Sequence, residues 1–468
     1  MDGPILRGSC GVQLHWHGPS SPELSMSTAV TPQPMKRKAR PGTAGAALGY
    51  RDFRILWIGL FASNIGTWMQ NLALPAYIDA RTHRATWVAI MGFAQLGPLL
   101  LLSIPGGVLG DRFRRRPFLI TNQAAQMVFA VAIAFLISRD ASLWAIFAIQ
   151  LGIGVFNALG APAMQASIPL LVSREDLPGA LSLNSVMLNG SRVIGPALAA
   201  ALIGLGVTVP QIFVFNAATY LFAVAGIAMI TIPHVRSESL EKGVQKLLVG
   251  VRIARSRSVL SRMLLAMTAF SFFCLPYVSL FPSIARLNFG IPSSSATYKW
   301  LYATWGLGAA LGGLACGSVL IRFDRRKLIT FAFRGFAVCM AGFALARGPW
   351  LAIPIGFLLG FFYFMAVTPM VTVFQTNMRD HERARVMSLW FMAFGGTVTL
   401  GALAFGPVVD HIGARPVLAI GVVAALVLSW WTDLIRRPVG LLADDERREA
   451  IEARNAAALD EHGVGAGE

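Results

Sequence analysis

Charge is scarce in this chain. Asp, Glu, Lys and Arg make up 13% of its 468 residues, about half the share of an average soluble protein at roughly 25%, so a soluble multidomain enzyme is a poor fit. Acid is the scarcer sign: 23 Asp and Glu stand against 40 Lys and Arg, a formal net charge of +17. The four cysteines, Cys10, Cys274, Cys316 and Cys339, have neither paired nor metal-ligand spacing and read as small apolar fillers. No Gly-x-x-x-x-Gly-Lys-Ser/Thr loop occurs, which excludes an ATP-driven pump within the chain itself. A zinc spacing and a nucleophile elbow are also missing, and His15 and His17 stand alone in a polar terminal stretch. An ion channel fares no better, because there is no repeated filter loop and no ring of carboxylates.

What the chain has instead is apolar length. Hydrophobic residues reach 55%, gathered into twelve stretches, α1 to α12, near 53–76, 87–109, 117–138, 142–161, 182–206, 210–232, 261–285, 300–321, 328–346, 350–373, 387–409 and 414–434. Each has the length of a membrane-crossing helix. Lys and Arg collect at every second gap, as expected where basic loops stay in the cytoplasm. The alternate, outer gaps hold only Arg81, Arg84, Arg139, Arg286, Lys299, Arg347 and Arg415, while Arg192 and Arg334 fall within helices. The expectation is an all-α, polytopic protein of a bacterial cytoplasmic membrane with both termini inside. Its basic excess belongs to the inner loops and to anionic lipid headgroups rather than to a nucleic-acid surface.

Composition divides the chain further. Residues 1–49 are rich in Pro, Ser, Gly and Thr and carry Lys36, Arg37, Lys38 and Arg40, which predicts a disordered cytoplasmic tail; Met26 and Met35 are alternative starts within it. Residues 50–233 form a first six-helix bundle and 261–437 a second. Between them, 234–260 interleaves Lys242, Lys246, Arg252, Arg255 and Arg257 with Leu247, Leu248, Val251 and Ile253, the pattern of an amphipathic helix at the inner surface. Residues 438–468 form a second cytoplasmic tail with a short solvated helix. The two-bundle division rests on internal repetition. Gly107 to Arg116 (GVLGDRFRRR) returns 210 residues later as Gly317 to Arg326 (GSVLIRFDRR), and Ile194-Gly195-Pro196-Ala197-Leu198-Ala199 is echoed by Leu400-Gly401-Ala402-Leu403-Ala404.

These residues carry a family resemblance. Beside the 107–116 loop stand Asn64-Ile-Gly-Thr67-Trp68-Met69-Gln70, Ser173-Arg-Glu-Asp176-Leu-Pro178 running into Ala180-Leu-Ser-Leu-Asn184-Ser185, then Arg192-Val-Ile-Gly195-Pro196, and Arg383-Ala-Arg385-Val-Met-Ser-Leu389. In this order they resemble the major facilitator superfamily, in the branch of the enterobactin exporter and bacterial drug and macrolide effluxers, over roughly Tyr50 to Arg437. The resemblance implies two pseudo-symmetric six-helix bundles around a central cavity and alternating-access transport coupled to protons. It also implies export of hydrophobic or amphipathic small molecules, such as drugs or siderophore-like metabolites, with no cofactor beyond a proton gradient and a monomer as the working unit. An importer, a uniporter and a transport-dead sensor or scaffold stay open as alternatives.

The resemblance also distributes roles. Gly107, Asp111, Arg112, Arg115, Arg116 and Arg385 match the gating switch, in which Asp111 meets the positively charged N-terminal end of α11, a contact stabilised by up to about 2 kcal/mol. Arg114 stands where the family usually has Gly, and Ile321 replaces the acid in the second copy, so only the first copy is expected to latch. Ser191, Gly195, Pro196 and Ala199 match the antiporter packing motif, expected to let α5 and α8 approach closely.

Two further readings come from the residues themselves, and one more from the resemblance. Arg192 lies about ten residues into α5, where a charge is costly enough to require a partner; no Asp or Glu sits at that depth, leaving amides such as Gln70 or Asn71, backbone carbonyl oxygens, water, or an anionic substrate. The resemblance implies that α1, α4, α7 and α10 line the cavity at its centre with α2, α5, α8 and α11 beside them, which makes Gln70, Asn71, Gln95, Gln150, Asn157, Tyr277, Trp305, Tyr363 and Thr368 the cavity candidates, an amide-rich and aromatic set suited to a large, mostly apolar solute. Asp79 and Asp410, at the outer ends of α1 and α11, are the coupling candidates, with ordinary helix-end charges as the competing reading.

Overall fold

The structure is a computed structural model that describes residues 40–233, 243–378 and 383–433, and within these it leaves out the side chains at 103, 104, 107, 108, 110–112, 243–248, 321 and 383–385. The two expected tails therefore lie largely outside the described residues, as do residues 234–242 of the linker and the side chains of Gly107, Asp111, Arg112 and Arg385. Helix is the only regular structure among the described residues.

All twelve predicted stretches are helical, though several run longer than their apolar cores. The unbroken helices are α1 (Arg51–Thr82), α3 (Arg115–Ser138), α4 (Leu143–Ser167), α5 (Leu177–Gly204), α6 (Val209–Ala228), α8 (Ala296–Gly317), α9 (Arg325–Leu345), α10 (Pro349–Thr376) and α12 (Ala414–Trp431). At 1.5 Å per residue the 32 residues of α1 span about 48 Å, enough to carry it past the hydrocarbon at both ends.

Three helices are interrupted where the sequence predicts continuity. α2 breaks at Gly97 into Ala85–Leu96 and Pro98–Arg112. α7 runs Ser258–Ala269, widens into a π-helical turn over Phe270–Cys274, then continues as Pro276–Ser279 and Phe281–Phe289. Pro276 lacks the N–H that would continue the ladder, and the extra residue of the π turn absorbs the offset. α11 repeats the device with Arg383–Phe391, a π turn at Met392–Gly396, and Thr397–Ile412. Nine of the helices among the described residues are long and apolar enough to cross a membrane, or ten with the bent 249–274 pair. The two long unbroken helices outside that set are α1 and α8: α1 carries Ser63, Asn64, Thr67, Gln70 and Asn71 inward, and α8 is diluted by glycine.

Packing repeats with the helix number. α2 lies on α4 as α8 lies on α10, α3 on α6 as α9 on α12, and the halves meet where α5 crosses α8 and α2 crosses α11. These are the contacts of two six-helix bundles related by a twofold. Their interiors differ. The second half has one continuous core full of rings, among them Phe270, Tyr277, Phe281, Trp305, Phe336 and Phe343. The first half lends Met69, Leu72, Ala89 and Ile212 to that core and has two larger cores of its own, besides a small cluster at Ala130, Ala217 and Tyr220. One, around Leu56, Leu119, Ile168, Met187 and Ile227, sits at the basic-loop end, and the other, around Ile78, Met91, Ile133, Ile146 and Phe213, sits at the opposite end. Polar side chains fill the gap between them. On the perimeter, exposed Trp144, Trp300 and Trp350 all mark the end away from the basic loops, as an interfacial aromatic belt does.

Candidate functional site

Amides dominate the gap in the first half. Gln70 of α1 donates to Gln150 Oε1 of α4 at 3.3 Å and accepts from Asn216 Nδ2 of α6 at 2.6 Å. Tyr220 OH, also on α6, reaches Gln126 Oε1 of α3 at 3.3 Å, Gln126 Nε2 donates to Asn122 Oδ1 at 2.9 Å, and Asn122 Nδ2 to the Phe156 carbonyl at 2.6 Å. On α2, Gln95 Nε2 donates to Asn71 Oδ1 at 2.6 Å. Buried polar groups persist only when paired in this way, and here the pairing joins α1 to α2, α4 and α6, and α3 to α4 and α6.

The network borders a cavity of about 210 Å³ lined by Asn64, Gln70, Gln95, Asn122, Gln126 and Asn157, with Met164, Gln165, Ile168 and Asn184 toward the basic-loop end. Of the candidates read from sequence, Gln70, Gln95 and Asn157 therefore line one cavity, while Gln150 and Asn71 stand behind it as partners. Tyr277 and Trp305 are elsewhere, in the aromatic core of the second half, where Trp305 Nε1 donates to Tyr277 OH at 3.0 Å. Tyr363 stacks on Trp305 with centroids 6.2 Å apart. Thr368 is half-buried on α10 beside Gly313. Sequence reasoning missed Asn122, Gln126, Asn216 and Tyr220 because the cavity-lining helices that the resemblance implies do not include α3 and α6. The usable signal was their spacing, Asn122/Gln126 and Asn216/Tyr220, each an i,i+4 pair on one helix face.

Arg192 finds neither Gln70 nor Asn71, whose amides are taken up by one another's neighbours. Its guanidinium lies 5.1 Å from the Trp68 ring of α1 and 4.5 Å from the Phe364 ring of α10, bridging the halves. Such desolvated cation–π contacts contribute about 2 kcal/mol or more, and they replace the amide contacts that the sequence led one to expect.

The end opposite the basic loops is tied across the halves by charge. Asp79, fully buried, accepts from Ser283 Oγ at 2.6 Å and from two nitrogens of Arg286 at 3.0 Å each. Asp410 of α11 accepts from the Ala85 and Thr86 backbone N–H groups at 2.6 and 3.0 Å and from Thr86 Oγ1 at 2.6 Å, capping the N-terminus of α2 from outside that helix. Neither is an unpartnered helix-end charge.

At the basic-loop end Arg115, 8% exposed, donates to the Ala166 carbonyl at 3.1 Å, and Arg116 donates to the Ala228 carbonyl. Both carbonyls lie at helix C-termini, where cations complement the dipole, so these two arginines staple α4 and α6. The expected Asp111 contact with α11, involving Arg112 and Arg385, falls outside the described residues. In the packing motif, Ser191 bonds back to the Met187 carbonyl at 2.6 Å, and Pro196 and Ala199 are buried. A Cβ on Gly195 would come within 2.5 Å of Trp68 Cβ, so its smallness serves α1 rather than α8. The close approach of α8 to α5 is made by Gly306, against the Arg192 carbonyl.

An all-helical pair of six-helix bundles, repeated about a twofold and meeting through α2, α5, α8 and α11, defines a transporter of the major facilitator superfamily. The chain belongs to the family described as "Transmembrane secretion effector", whose profile matches residues 43–462. It is 24% identical over 388 residues to the staphyloferrin A transporter of Staphylococcus aureus (strain NCTC 8325 / PS 47), covering 81% of this chain and 95% of that one. It is 25% identical over 405 residues to the enterobactin exporter EntS of Shigella flexneri, covering 84% and 95%. Among solved structures, a bacterial homolog of the human lysosomal transporter Spinster, inward-facing and unoccupied, superposes with a TM-score of 0.64 at 14% identity over 83% of this chain and 97% of that one. The nucleoside transporter NupG gives 0.63 at 12%, over 83% and 99%.

Proposed function

We propose that this protein is a secondary active exporter that works by alternating access. It carries hydrophobic or amphipathic small molecules, siderophore-like metabolites among them, out of a bacterial cytoplasm in exchange for protons. The basic loops face the cytoplasm, in keeping with their charge. One observation carries the reading: the halves are bound together by Asp79, Ser283, Arg286 and Asp410 at the end away from those loops, while the amide-lined cavity extends toward the basic-loop end through Gln165, Ile168 and Asn184. A rocking transporter in its inward-facing state has this distribution of contacts. The export direction is taken from the relative named as the enterobactin exporter.

Proton coupling is assigned to Asp79. Of the two carboxylates that tie the halves, Asp79 is the one paired with a charged partner, so a proton arriving there from outside loosens the closed end most. The test is flux from proteoliposomes with and without an imposed proton gradient, together with metabolite accumulation in a deletion strain. Saturable, gradient-driven flux supports antiport; flux indifferent to the gradient makes the protein a uniporter, uptake makes it an importer, and no flux leaves a sensor.

A further inference from the structure

We propose that Arg192 recognises an anionic group on the transported molecule, which displaces the guanidinium from between Trp68 and Phe364. The inference rests on the transporter reading above and narrows its substrate class to amphipathic acids: carboxylates, sulfonates or acidic phenols attached to an apolar body.

The position comes first. Arg192 follows Leu188, a cavity-lining residue, by one helical turn, and Trp68 follows the cavity-lining Thr67. The cation therefore stands one turn beyond Leu188 of the cavity wall, between Trp68 of α1 and Phe364 of α10. Next comes its state of satisfaction. Guanidinium offers five N–H donors and accepts nothing, yet Arg192 makes no hydrogen bond among the described residues, and its Nε is buried without a partner. Ring faces attract its charge but supply no acceptor lone pairs. No Asp or Glu occurs in the middle turns of any of the twelve helices, so the protein offers no anion of its own.

A planar, bidentate oxyanion supplies what is missing, with shorter and stronger bonds than a neutral acceptor makes. The cavity wall adds further polar partners: Gln123 lines it with a buried Oε1 that has none. A purely structural clamp predicts something different, because it requires only the positive charge between two rings that belong to opposite halves.

The experiment measures binding rather than flux, on the full chain in detergent, with salicylate and its uncharged counterpart salicylamide as probes followed by ligand-observed NMR. Wild type is expected to prefer salicylate by about tenfold or more. Arg192→Gln should abolish the preference, and Arg192→Lys, which keeps the charge but not the fork, should retain part of it. Phe364→Leu removes one ring face and leaves the cation, so salicylate affinity should hold or rise, which guards against misreading a misfolded Arg192 variant. Equal binding of the two probes, binding of neither up to millimolar concentration, or a preference that survives Arg192→Gln overturns the proposal. A wild type that discriminates the probes yet moves nothing across liposomes overturns the transporter reading and leaves the anion site standing.

Discussion

Arg286 grips Asp79 with two nitrogens on two oxygens, each at 3.0 Å, across 207 positions of sequence and from one half of the protein to the other. The carboxylate is wholly buried and the guanidinium 21% exposed, so this is an interior pair rather than a screened surface one. Removing one member of such a pair costs about 3–5 kcal/mol, because the survivor stays desolvated and alone. That cost falls only on the state in which the halves touch here. Asp79→Asn should therefore shift the protein toward opening at this end, read as faster labelling of a cysteine placed at Ser279 in a cysteine-free background. Unchanged labelling removes Asp79 from the gate. Exchanging the two residues, Asp79→Arg with Arg286→Asp, should restore slow labelling in part.

Asp410 makes the second tie, and its strength is of a different kind. It caps a helix belonging to the other half, and losing an N-cap costs about 0.5–2 kcal/mol. Asp410→Ala should thus raise labelling at Ser279 in the same direction as Asp79→Asn but by less. An effect as large as that of Asp79→Asn would mean that the carboxylate does more than satisfy the Ala85 and Thr86 N–H groups.

The helices were legible in the sequence because hydrocarbon demands long apolar runs, and the twofold was legible because the 107–116 segment recurs at 317–326. Interruptions were not. A π turn such as Phe270–Cys274 leaves no apolar gap, and only Pro276 hinted at a break. Site residues were visible where a polar group stood out against an apolar run, as Gln70, Gln95 and Asn157 did. Partnerships were hidden, since pairing Asp79 with Arg286 or Trp68 with Arg192 depends on how helices far apart in sequence cross. Depth alone made Arg192 conspicuous; it could not say that the partners would be rings.

Asn216 anchors α6 to Gln70 in the first half's amide network, fully buried and bonded to Gln70 Oε1 at 2.6 Å. Asn216→Leu leaves that oxygen without its donor, at a cost of about 1–3 kcal/mol. Thermal unfolding in detergent should show a clear loss of stability. Gln95→Leu, at the cavity wall and partnered only by Asn71, should lower stability less while slowing flux more. The reverse ranking would make the network a transport element and the wall a structural one.

Asp111 tests the cytoplasmic latch independently of the arginines next to it. Arg115 and Arg116 bind the Ala166 and Ala228 carbonyls, so Arg115→Ala should reduce folded yield by uncapping α4, an effect of about 0.3–2 kcal/mol. Asp111→Asn leaves both arginines in place. It should leave membrane insertion and yield intact while slowing turnover, and unchanged turnover would deny the loop any role in switching.

Two glycines separate packing from propensity. A Cβ on Gly308 would fall 1.9 Å from the Phe357 carbonyl oxygen, a backbone atom that cannot swing aside, so α8 and α10 must part to admit it. Overpacking of this kind costs about 1–3 kcal/mol, and Gly308→Ala should lower the unfolding temperature accordingly. Gly204, the last residue of α5, has nothing within 4 Å of its Cβ position. There alanine should stabilise the helix, by about 0.5–1 kcal/mol at most, by restricting the unfolded chain. Both variants add a single methyl group, so opposite signs in the same thermal assay would attribute the loss at Gly308 to the α8–α10 contact. A harmless Gly308→Ala would mean that the two helices are free to separate there, and that the second half is looser than its aromatic core implies.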